Sequence, residues 1–265
     1  MISKRIGKDR EKDLFFIIGV GRSGTTLLQE LFCTFEKKYS DLQRITQLFK
    51  SNSKDKGFCN KMESIIWENP PMSCWTAVRK TNDFSLLEEF IDKNWTSRCF
   101  VEKTPDSALC LPQLHERFPI ANYIFLERNP LDIVLSQINK FPESENYWVR
   151  PFHIKNLIME EKDLALNNEQ YWAKATLKLI REIVEHREKF SNKLIIKYED
   201  LENSLSLQLN RLEKSFRIQT YYDKALDVMK KPSSSSINNR YDKKMLVDEK
   251  GVLMVKEAQR LYGYN

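Results

Sequence analysis

The sequence Leu14-Phe-Phe-Ile-Ile-Gly-Val-Gly-Arg-Ser-Gly-Thr-Thr26 joins a short apolar run to a glycine-rich segment. A continuous apolar run that ends at glycine is typical of a strand buried on both faces of a parallel sheet. Over residues 25–36 the apolar side chains then recur at helical spacing, which predicts a helix. The stretch therefore predicts a strand, a glycine loop and a helix in direct succession.

This succession is suited to binding an anion, because backbone N–H groups converge at the start of a helix and the helix dipole favours negative charge. Gly19 and Gly24 have the spacing of a Walker A loop, but the next residue is Thr25 instead of lysine. The cation is Arg22, inside the loop, and its planar guanidinium can hold two anion oxygens without a metal. We expect the backbone N–H groups from Gly24 to Thr26 to hold a phosphate.

The rest of the chain alternates apolar strand-like runs with helix-like segments. Further strands are predicted at 99–103, 123–127 and 194–198, and helices from Pro130 onward and at 162–189, 203–215 and 248–261. This alternation predicts an α/β fold with a P-loop-type parallel sheet flanked by helices. We interpret residues 1–265 as one domain, with a flexible lead-in at 1–12. Helical insertions at about 39–98 and 141–161 are expected to cover the substrate side of the sheet.

Charge and composition narrow the class of protein. Lys and Arg outnumber Asp and Glu by 43 to 37 among 265 residues, a diffuse excess that fits one anionic ligand better than nucleic acid. No apolar run is long enough to span a bilayer. The 5 cysteines include no C-x-x-C pair and the 3 histidines are scattered, which indicates free thiols and argues against a metal site. We predict a cytoplasmic protein without a membrane or nucleic-acid partner.

A second segment, Phe125-Leu-Glu-Arg-Asn-Pro-Leu-Asp-Ile-Val-Leu-Ser136, also predicts anion binding. Arg128 follows a predicted strand, and Ser136 lies two turns into the helix behind it. Because the turn between strand and helix folds back, the guanidinium and the hydroxyl can face one point. In open α/β sheets, ligands bind at this carboxyl end of the strands. The chain thus carries two candidate anion sites about a hundred residues apart.

Gly21-Arg-Ser-Gly-Thr-Thr-Leu-Leu28 resembles the 5′-phosphosulfate-binding loop of sulfotransferases, in the arginine form of the tyrosylprotein and many bacterial enzymes. Residues 125–136 resemble the 3′-phosphate-binding segment of the same family. Val101-Glu-Lys-Thr-Pro105 is similar to its lysine–threonine segment, and Lys197-Tyr-Glu-Asp-Leu201 to the segment whose tyrosine contacts adenine. The resemblance covers nearly the whole sheet-forming part of the chain and very little of the two insertions.

The resemblance implies that 3′-phosphoadenosine 5′-phosphosulfate (PAPS) is the donor and 3′-phosphoadenosine 5′-phosphate (PAP) the product. It implies the donor-binding residues Arg22, Ser23, Gly24, Thr25, Thr26, Arg128, Ser136 and Tyr198, with Ser235 and Arg240 in a late loop. That late loop departs from the lysine–glycine form of cytosolic members. Lys103 would lie beside the transferring group and, with Arg22, neutralise the charge that develops on its oxygens.

The catalytic base is expected at Asp106, three residues after Lys103. The histidine that cytosolic sulfotransferases have two residues after the lysine is Pro105 here. No carboxylate stands at the position of the glutamate that tyrosylprotein and heparan-type enzymes use. Strand alternation points Glu102 away from the face of Lys103, and a helix cap is the alternative role for Asp106. The remaining candidates are Glu63 and Glu68, in the first insertion.

Taken with the resemblance, these observations predict an enzyme that transfers a sulfuryl group from PAPS to a hydroxyl or amino group of a small-molecule acceptor. The reaction would be an in-line displacement without a metal. Two alternatives stay open at this point. A nucleotide kinase with an atypical P-loop is disfavoured by the missing Walker lysine, and a catalytically silent module that binds PAP or another nucleotide is permitted by the missing family base.

Overall fold

The computed structural model describes residues 11, 13–32, 78–79, 81–94, 99–140, 166–230, 246 and 248–264. Within them, four strands form one sheet: β1 (Leu14–Ile18), β2 (Phe100–Glu102), β3 (Asn122–Glu127) and β4 (Lys193–Lys197). The strand order is β2-β1-β3-β4, and every neighbouring pair is parallel. The predicted α/β fold with a parallel sheet is confirmed.

Helices surround this sheet on both faces. In chain order, the described α-helices are α1 (Thr25–Phe32), α2 (Ser85–Asn94), α3 (Leu111–Arg117), α4 (Pro130–Lys140), α5 (Asn168–His186), α6 (Tyr198–Asn203), α7 (Leu205–Phe216), α8 (Tyr222–Lys230) and α9 (Glu249–Leu261). A 3₁₀ helix, Pro105–Cys110, leads into α3, and another, Arg187–Lys189, follows α5.

Strand β1 lies inside the sheet and is buried along its whole length. Its alternate residues face two different cores. Leu14, Phe16 and Ile18 pack with the apolar sides of α3, α5 and α9, whereas Phe15 and Ile17 pack with α1, α6, α7 and α8. This two-sided burial explains why the strand is a continuous apolar run.

Side-chain caps fix the starts of two long helices that pack against each other. The Asn167 Oδ1 accepts from the N–H of Gln170 at the start of α5, and the Asp248 Oδ1 accepts from the N–H of Gly251 at the start of α9, each at 2.9 Å. Asn167 Nδ2 also donates to Asp248 Oδ2 at 3.0 Å. The two caps therefore hold the helix starts side by side.

Element boundaries differ from the sequence-based expectation at several places. Lys103 and Tyr198 were expected to end strands, but each follows its strand, and Tyr198 is the first residue of α6. The helix predicted at 203–215 is α7, and Ser204 separates it from α6. Helix α8 is not predicted from the sequence, and only Ala225 and Val228 of this short helix are buried.

The described end of the first predicted insertion belongs to the core. Val78, Phe84, Leu87 and Ile91 are buried, and the ring of Phe84 meets the ring of Phe118 edge-on at 5.6 Å. This part of the insertion therefore packs on one face of the sheet. The rest of that insertion and residues 141–161 lie outside the described residues.

Two further expectations concern cysteines and membranes. Cys99 and Cys110 are buried free thiols, as predicted, and the other cysteines lie outside the described residues. Among the helices that the structure describes, none combines the length and the apolar character that a membrane span needs.

Candidate active site

Each of the four strands is followed by a predicted site residue. The loop containing Arg22 follows β1, Lys103 follows β2, Arg128 follows β3 and Tyr198 follows β4. Because the strands are parallel, all four positions lie at the same edge of the sheet. From β1 the chain continues to β2 on one side of β1, and it then returns to form β3 on the other side. The topological switch point of the sheet, where the strand order reverses, therefore lies between β1 and β3. Ligands bind at such points in open α/β sheets.

The loop after β1 has an unusual backbone. The Ser23 N–H donates to the carbonyl oxygen of Val20 at 2.9 Å, which closes a tight turn. Arg22 lies in this turn with φ 77°, and Gly24 follows with φ 99°. A positive φ is ordinary for glycine but costs a residue with a side chain free energy, and such positions cluster at functional sites. Helix α1 then begins, with the Leu28 N–H donating to the Gly24 carbonyl at 3.1 Å.

Glycine is required at two positions of this loop by close packing. A Cβ on Gly24 would lie 2.4 Å from Cδ2 of Tyr198, well inside the contact distance of two carbon atoms. A Cβ on Gly19 would lie 2.7 Å from the Ser23 hydroxyl oxygen and 3.0 Å from the carbonyl oxygen of Leu126. The absence of side chains therefore lets the loop approach both β3 and the tyrosine ring.

The two predicted anion sites are in direct contact. Arg22 donates from Nε to the hydroxyl of Ser136 at 3.1 Å, and Arg128 donates from Nη1 to the backbone carbonyl of Arg22 at 3.0 Å. The structure thus brings both arginines and the serine to one place. The contact between the two sites themselves was not expected, because they were assigned to opposite ends of the donor.

Tyr198 covers the loop from the side of β4. Its ring lies against Gly24, and the guanidinium carbon of Arg128 is 4.5 Å from the ring centroid, within cation–π distance. The pKa of Tyr198 is raised to about 12, mainly by burial. The negative charge of Glu202 also raises this pKa, and its effect is larger than the opposite effect of Arg128. The phenol is therefore neutral at physiological pH and acts as a flat, polar-tipped surface.

Lys103 is the third cation of the site. It donates from Nζ to the hydroxyl of Thr26 at 3.2 Å, so the ammonium group lies beside the first turn of α1. Burial lowers the pKa of Lys103, and the charges of Glu102 and Glu30 oppose this shift. Glu30 lies one helical turn after Thr26, and the sequence analysis did not identify it as a neighbour of the lysine.

Two buried polar atoms around the loop have no hydrogen-bond partner within the described part of the chain. They are Nε of Arg128 and the hydroxyl oxygen of Ser23. A buried polar group without a partner costs about 1–3 kcal/mol, so such groups point to an absent water or ligand. Both atoms belong to residues that the sequence assigned to donor binding.

A polar pair behind the loop was not predicted from the sequence. Gln137 follows Ser136 on α4 and contacts the loop backbone, and Thr176 on α5 contacts Gln137. The available signal was a glutamine next to Ser136 in a largely apolar helix. The position of its two partners depends on tertiary packing and has no local sequence signal.

Several predicted residues remain predictions. Asp106 is the second residue of the 3₁₀ helix Pro105–Cys110, and the N-cap residues there and at α3 are Thr104 and Cys110. Asp106 is therefore not the N-cap of either helix, and the placement of its side chain lies outside the described part of the structure. The same holds for the whole of Ser235, Arg240, Glu63 and Glu68.

No three His, Cys, Asp or Glu side chains among the described residues lie close enough together to hold a metal ion. The arrangement instead offers three cations, Arg22, Lys103 and Arg128, around a loop that opens a helix. Such a group of cations and backbone N–H groups is suited to a ligand with more than one anionic group.

Comparison with known proteins agrees with the fold. The model of the sulfotransferase family matches residues 15–223, which include β2, β3, β4 and all of β1 except its first residue. None of the curated proteins matches the chain.

Three solved structures share the fold. The sulfotransferase domain from the curacin biosynthetic pathway is 16% identical with a TM-score of 0.57, over 95% of this chain and 97% of that domain. The sulfotransferase domain of the Synechococcus PCC 7002 olefin synthase is 14% identical with a TM-score of 0.52, over 95% and 94%. Sulfotransferase STF9 from Mycobacterium avium is 12% identical with a TM-score of 0.50, over 95% and 75%.

Proposed function

Because the chain belongs to the sulfotransferase family, we propose that it transfers a sulfuryl group from PAPS to a hydroxyl or amino group of a small-molecule acceptor. The observation that carries the proposal is the convergence of Arg22, Arg128 and Ser136 on one glycine loop. PAPS has anionic groups at both ends of its nucleoside, and this site offers cations and hydroxyls for both.

The buried polar atoms of the site fit such a donor. The 5′-phosphosulfate would lie against the loop and the first turn of α1, where Thr25 and Thr26 begin the helix. The 3′-phosphate would accept from Arg128 and Ser136, which would give the buried Nε of Arg128 the partner that it lacks within the described residues. The Ser23 hydroxyl would likewise gain an acceptor from the loop ligand. Satisfying such groups favours the bound state.

The adenine ring has a matching surface in Tyr198. The ring of this residue packs against Gly24, and the guanidinium carbon of Arg128 lies 4.5 Å from the ring centroid, so the orientation of the ring is fixed before a ligand binds. A rigid aromatic face binds a flat base at little cost in conformational entropy. We therefore assign the base to the β4 side of the site.

The chemistry would be an in-line displacement at sulfur. The acceptor oxygen or nitrogen forms a bond to the sulfur while the bond between the sulfur and the bridging phosphate oxygen breaks, and PAP leaves with the electron pair. Arg22 and Lys103 would stabilise the charge that develops on the bridging and sulfuryl oxygens. Asp106 is the proposed proton acceptor for the acceptor group.

The proposal assigns no role to a metal, because protein cations supply the positive charge that magnesium supplies in P-loop kinases. The rate should therefore be unchanged by a chelator. We place the reaction in the cytoplasm, where free thiols such as Cys99 and Cys110 stay reduced.

The test combines transfer and binding. With PAPS labelled at sulfur, the enzyme should move label to an acceptor, and calorimetry should show PAP binding much more tightly than ATP or 5′-AMP. Arg128→Ala should weaken PAP binding about 10- to 100-fold, since a hydrogen bond to a charged group contributes about 1.5–3 kcal/mol.

Arg181→Ala is the matched control, because the contact of Arg181 with other side chains among the described residues is an exposed ion pair between α5 and α9, with Glu257. Equal affinity for PAP and 5′-AMP would remove the case for a 3′-phosphate site. Tight PAP binding without transfer of label to any acceptor would instead identify a silent binding module.

A further inference from the structure

Gln137 connects the anion-binding loop to helix α5 through a buried chain of hydrogen bonds. Its Nε2 donates to the carbonyl oxygen of Gly21 at 3.1 Å, and its Oε1 accepts from the hydroxyl of Thr176 at 2.9 Å. Both side chains are inaccessible to solvent, with Gln137 1% exposed and Thr176 0%. Water cannot replace either partner there, so the two hydrogen bonds determine where the amide lies.

The partners also determine which way the amide faces. The carbonyl oxygen of Gly21 can only accept, so the NH₂ end of Gln137 must point to the loop. The Oε1 end then faces Thr176, whose hydroxyl can donate. A glutamate at this position would instead place a carboxylate oxygen against the Gly21 carbonyl, which is an unfavourable contact between two acceptors.

This contact is one of two side-chain contacts that hold carbonyl groups of the loop. Gln137 holds the carbonyl of Gly21, and Arg128 holds the carbonyl of Arg22 at 3.0 Å. In a planar trans peptide the N–H points opposite to the carbonyl. Holding the Gly21 carbonyl against the segment that follows β3 therefore keeps its negative dipole end away from the opposite side of that peptide, to which the Arg22 N–H points.

We propose that Gln137, oriented by Thr176, is a positioning residue that keeps the Gly21 carbonyl turned away from the 5′-phosphosulfate of the donor. This inference rests on the proposed function, because it assumes that the loop holds that group. It concerns one end of the donor only. Without the amide, the Gly21–Arg22 peptide can rotate and present a carbonyl oxygen to the anion, which repels it. The 3′-phosphate contacts do not use this peptide.

The experiment measures the contribution of each phosphate separately by calorimetry. The ratio of the Kd of 3′-AMP to that of PAP gives the contribution of the 5′-phosphate, and the ratio of the Kd of 5′-AMP to that of PAP gives that of the 3′-phosphate. Thr176→Val removes the hydroxyl at nearly constant volume, and Thr176→Ser retains it. Gln137→Glu retains the shape of the side chain and removes the donor.

We expect Thr176→Val to reduce the 5′-phosphate contribution about 3- to 10-fold, as one lost hydrogen bond predicts. Thr176→Ser should keep the 5′-phosphate contribution of the natural protein. Gln137→Glu should reduce that contribution by more than Thr176→Val does. The 3′-phosphate contribution should be the same in all variants. A general loss of stability would lower the melting temperature without changing one ratio alone.

Either of two results would overturn the inference alone: an unchanged 5′-phosphate ratio in Thr176→Val, or an equal fall of both ratios. If Gln137→Glu does not fold, the 5′-phosphate ratio of Thr176→Val still tests the inference. A natural protein in which the 5′-phosphate contributes nothing to PAP binding would overturn this inference together with the proposed function. The two failures are therefore distinguishable.

Discussion

The guanidinium of Arg22 donates to the hydroxyl of Ser136 at 3.1 Å, although 114 residues separate them in sequence. Arg128 binds the backbone carbonyl of the same arginine. One contact fixes the side chain of Arg22 and the other fixes its backbone, at a φ of 77° that few residues with a side chain adopt. The tertiary structure therefore holds a locally unfavourable conformation at the residue proposed to contact the transferring group.

Arg22→Gly and Arg22→Ala should be equally inactive but differ in stability. Both lose the guanidinium, and only alanine retains the cost of the positive φ. The greater conformational freedom of glycine in the unfolded chain offsets part of this difference. Arg22→Gly should still have a free energy of unfolding about 1 kcal/mol higher than that of Arg22→Ala. Urea denaturation of the two variants measures this difference. A more stable alanine variant would mean that residue 22 does not keep a positive φ in solution.

Gly24→Ala should weaken PAP binding about 10- to 100-fold, because forcing extra atoms into a packed site costs about 1–3 kcal/mol. The added Cβ would meet the ring of Tyr198 at 2.4 Å. In a Tyr198→Ala background the same substitution should have a smaller effect, which a double-mutant cycle by calorimetry reveals. Gly251→Ala is the matched control, since a Cβ there has no neighbour closer than 3.7 Å. Equal effects in both backgrounds would show that the clash is not with the ring.

Lys103→Met should raise the melting temperature at neutral pH while lowering turnover about 10²- to 10³-fold. Burial lowers the pKa of Lys103 in the folded state, so the unfolded chain binds this proton more tightly. The stability of the natural protein should therefore rise as pH increases from the folded pKa toward the ordinary value of 10.5. Lys103→Met lacks this rise.

Thermal melts of both proteins between neutral pH and pH 10, each compared with Lys256→Met, measure the effect. Lys256 is an exposed residue of α9 and serves as the control for a lost surface charge. A lower melting temperature in Lys103→Met than in the natural protein would indicate that the attraction of this lysine to the charges of Glu102 and Glu30 outweighs the cost of burying it.

Tyr198→Phe and Tyr198→Leu should separate the ring from the hydroxyl. The pKa of about 12 keeps the phenol neutral, and its ring is what contacts Arg128 and Gly24. We expect phenylalanine to bind PAP within about twofold of the natural protein and leucine about tenfold more weakly, as the loss of a cation–π contact predicts. Calorimetry measures the Kd of PAP for both variants and for the natural protein. Similar losses in both variants would transfer the role to the hydroxyl.

Asp106→Asn should lower turnover about 10²-fold or more if Asp106 accepts the proton of the acceptor. PAP affinity and melting temperature should be unchanged, because the amide retains the size of the carboxylate. The acid limb of the pH–rate profile should disappear as well. Asp223→Asn, at an exposed position of α8, is the control. Near-normal turnover in Asp106→Asn would direct the search for the base to Glu63 and Glu68.

The strand, loop and helix from Leu14 to Phe32 could be predicted because every signal there is local: a doubly buried apolar run, glycines and helical periodicity. Arg128 and Ser136 could be predicted as a pair because they lie on one strand–helix unit. The contact of Ser136 with Arg22, in contrast, depends on the pairing of β1 with β3, which the local pattern does not specify.

Two errors have a similar origin. Tyr198 was expected to end a strand, since aromatic residues favour strands, but the sheet ends at Lys197 and a helix begins. Gln137 and Thr176 were not identified because a buried polar pair is defined by facing side chains of two helices. Nothing in the spacing of either residue indicates its partner.

The arrangement of one site residue after each parallel strand has a consequence for folding. Strand β4 pairs with β3 alone within the described sheet, and β2 pairs with β1 alone, so no smaller set of strands carries all of Arg22, Lys103, Arg128 and Tyr198. Parallel pairings join distant parts of the chain and form slowly. A nucleotide that needs the complete set binds the native state and no partly assembled sheet. At a free concentration a hundredfold above its Kd, it would stabilise the finished fold by about 2.7 kcal/mol.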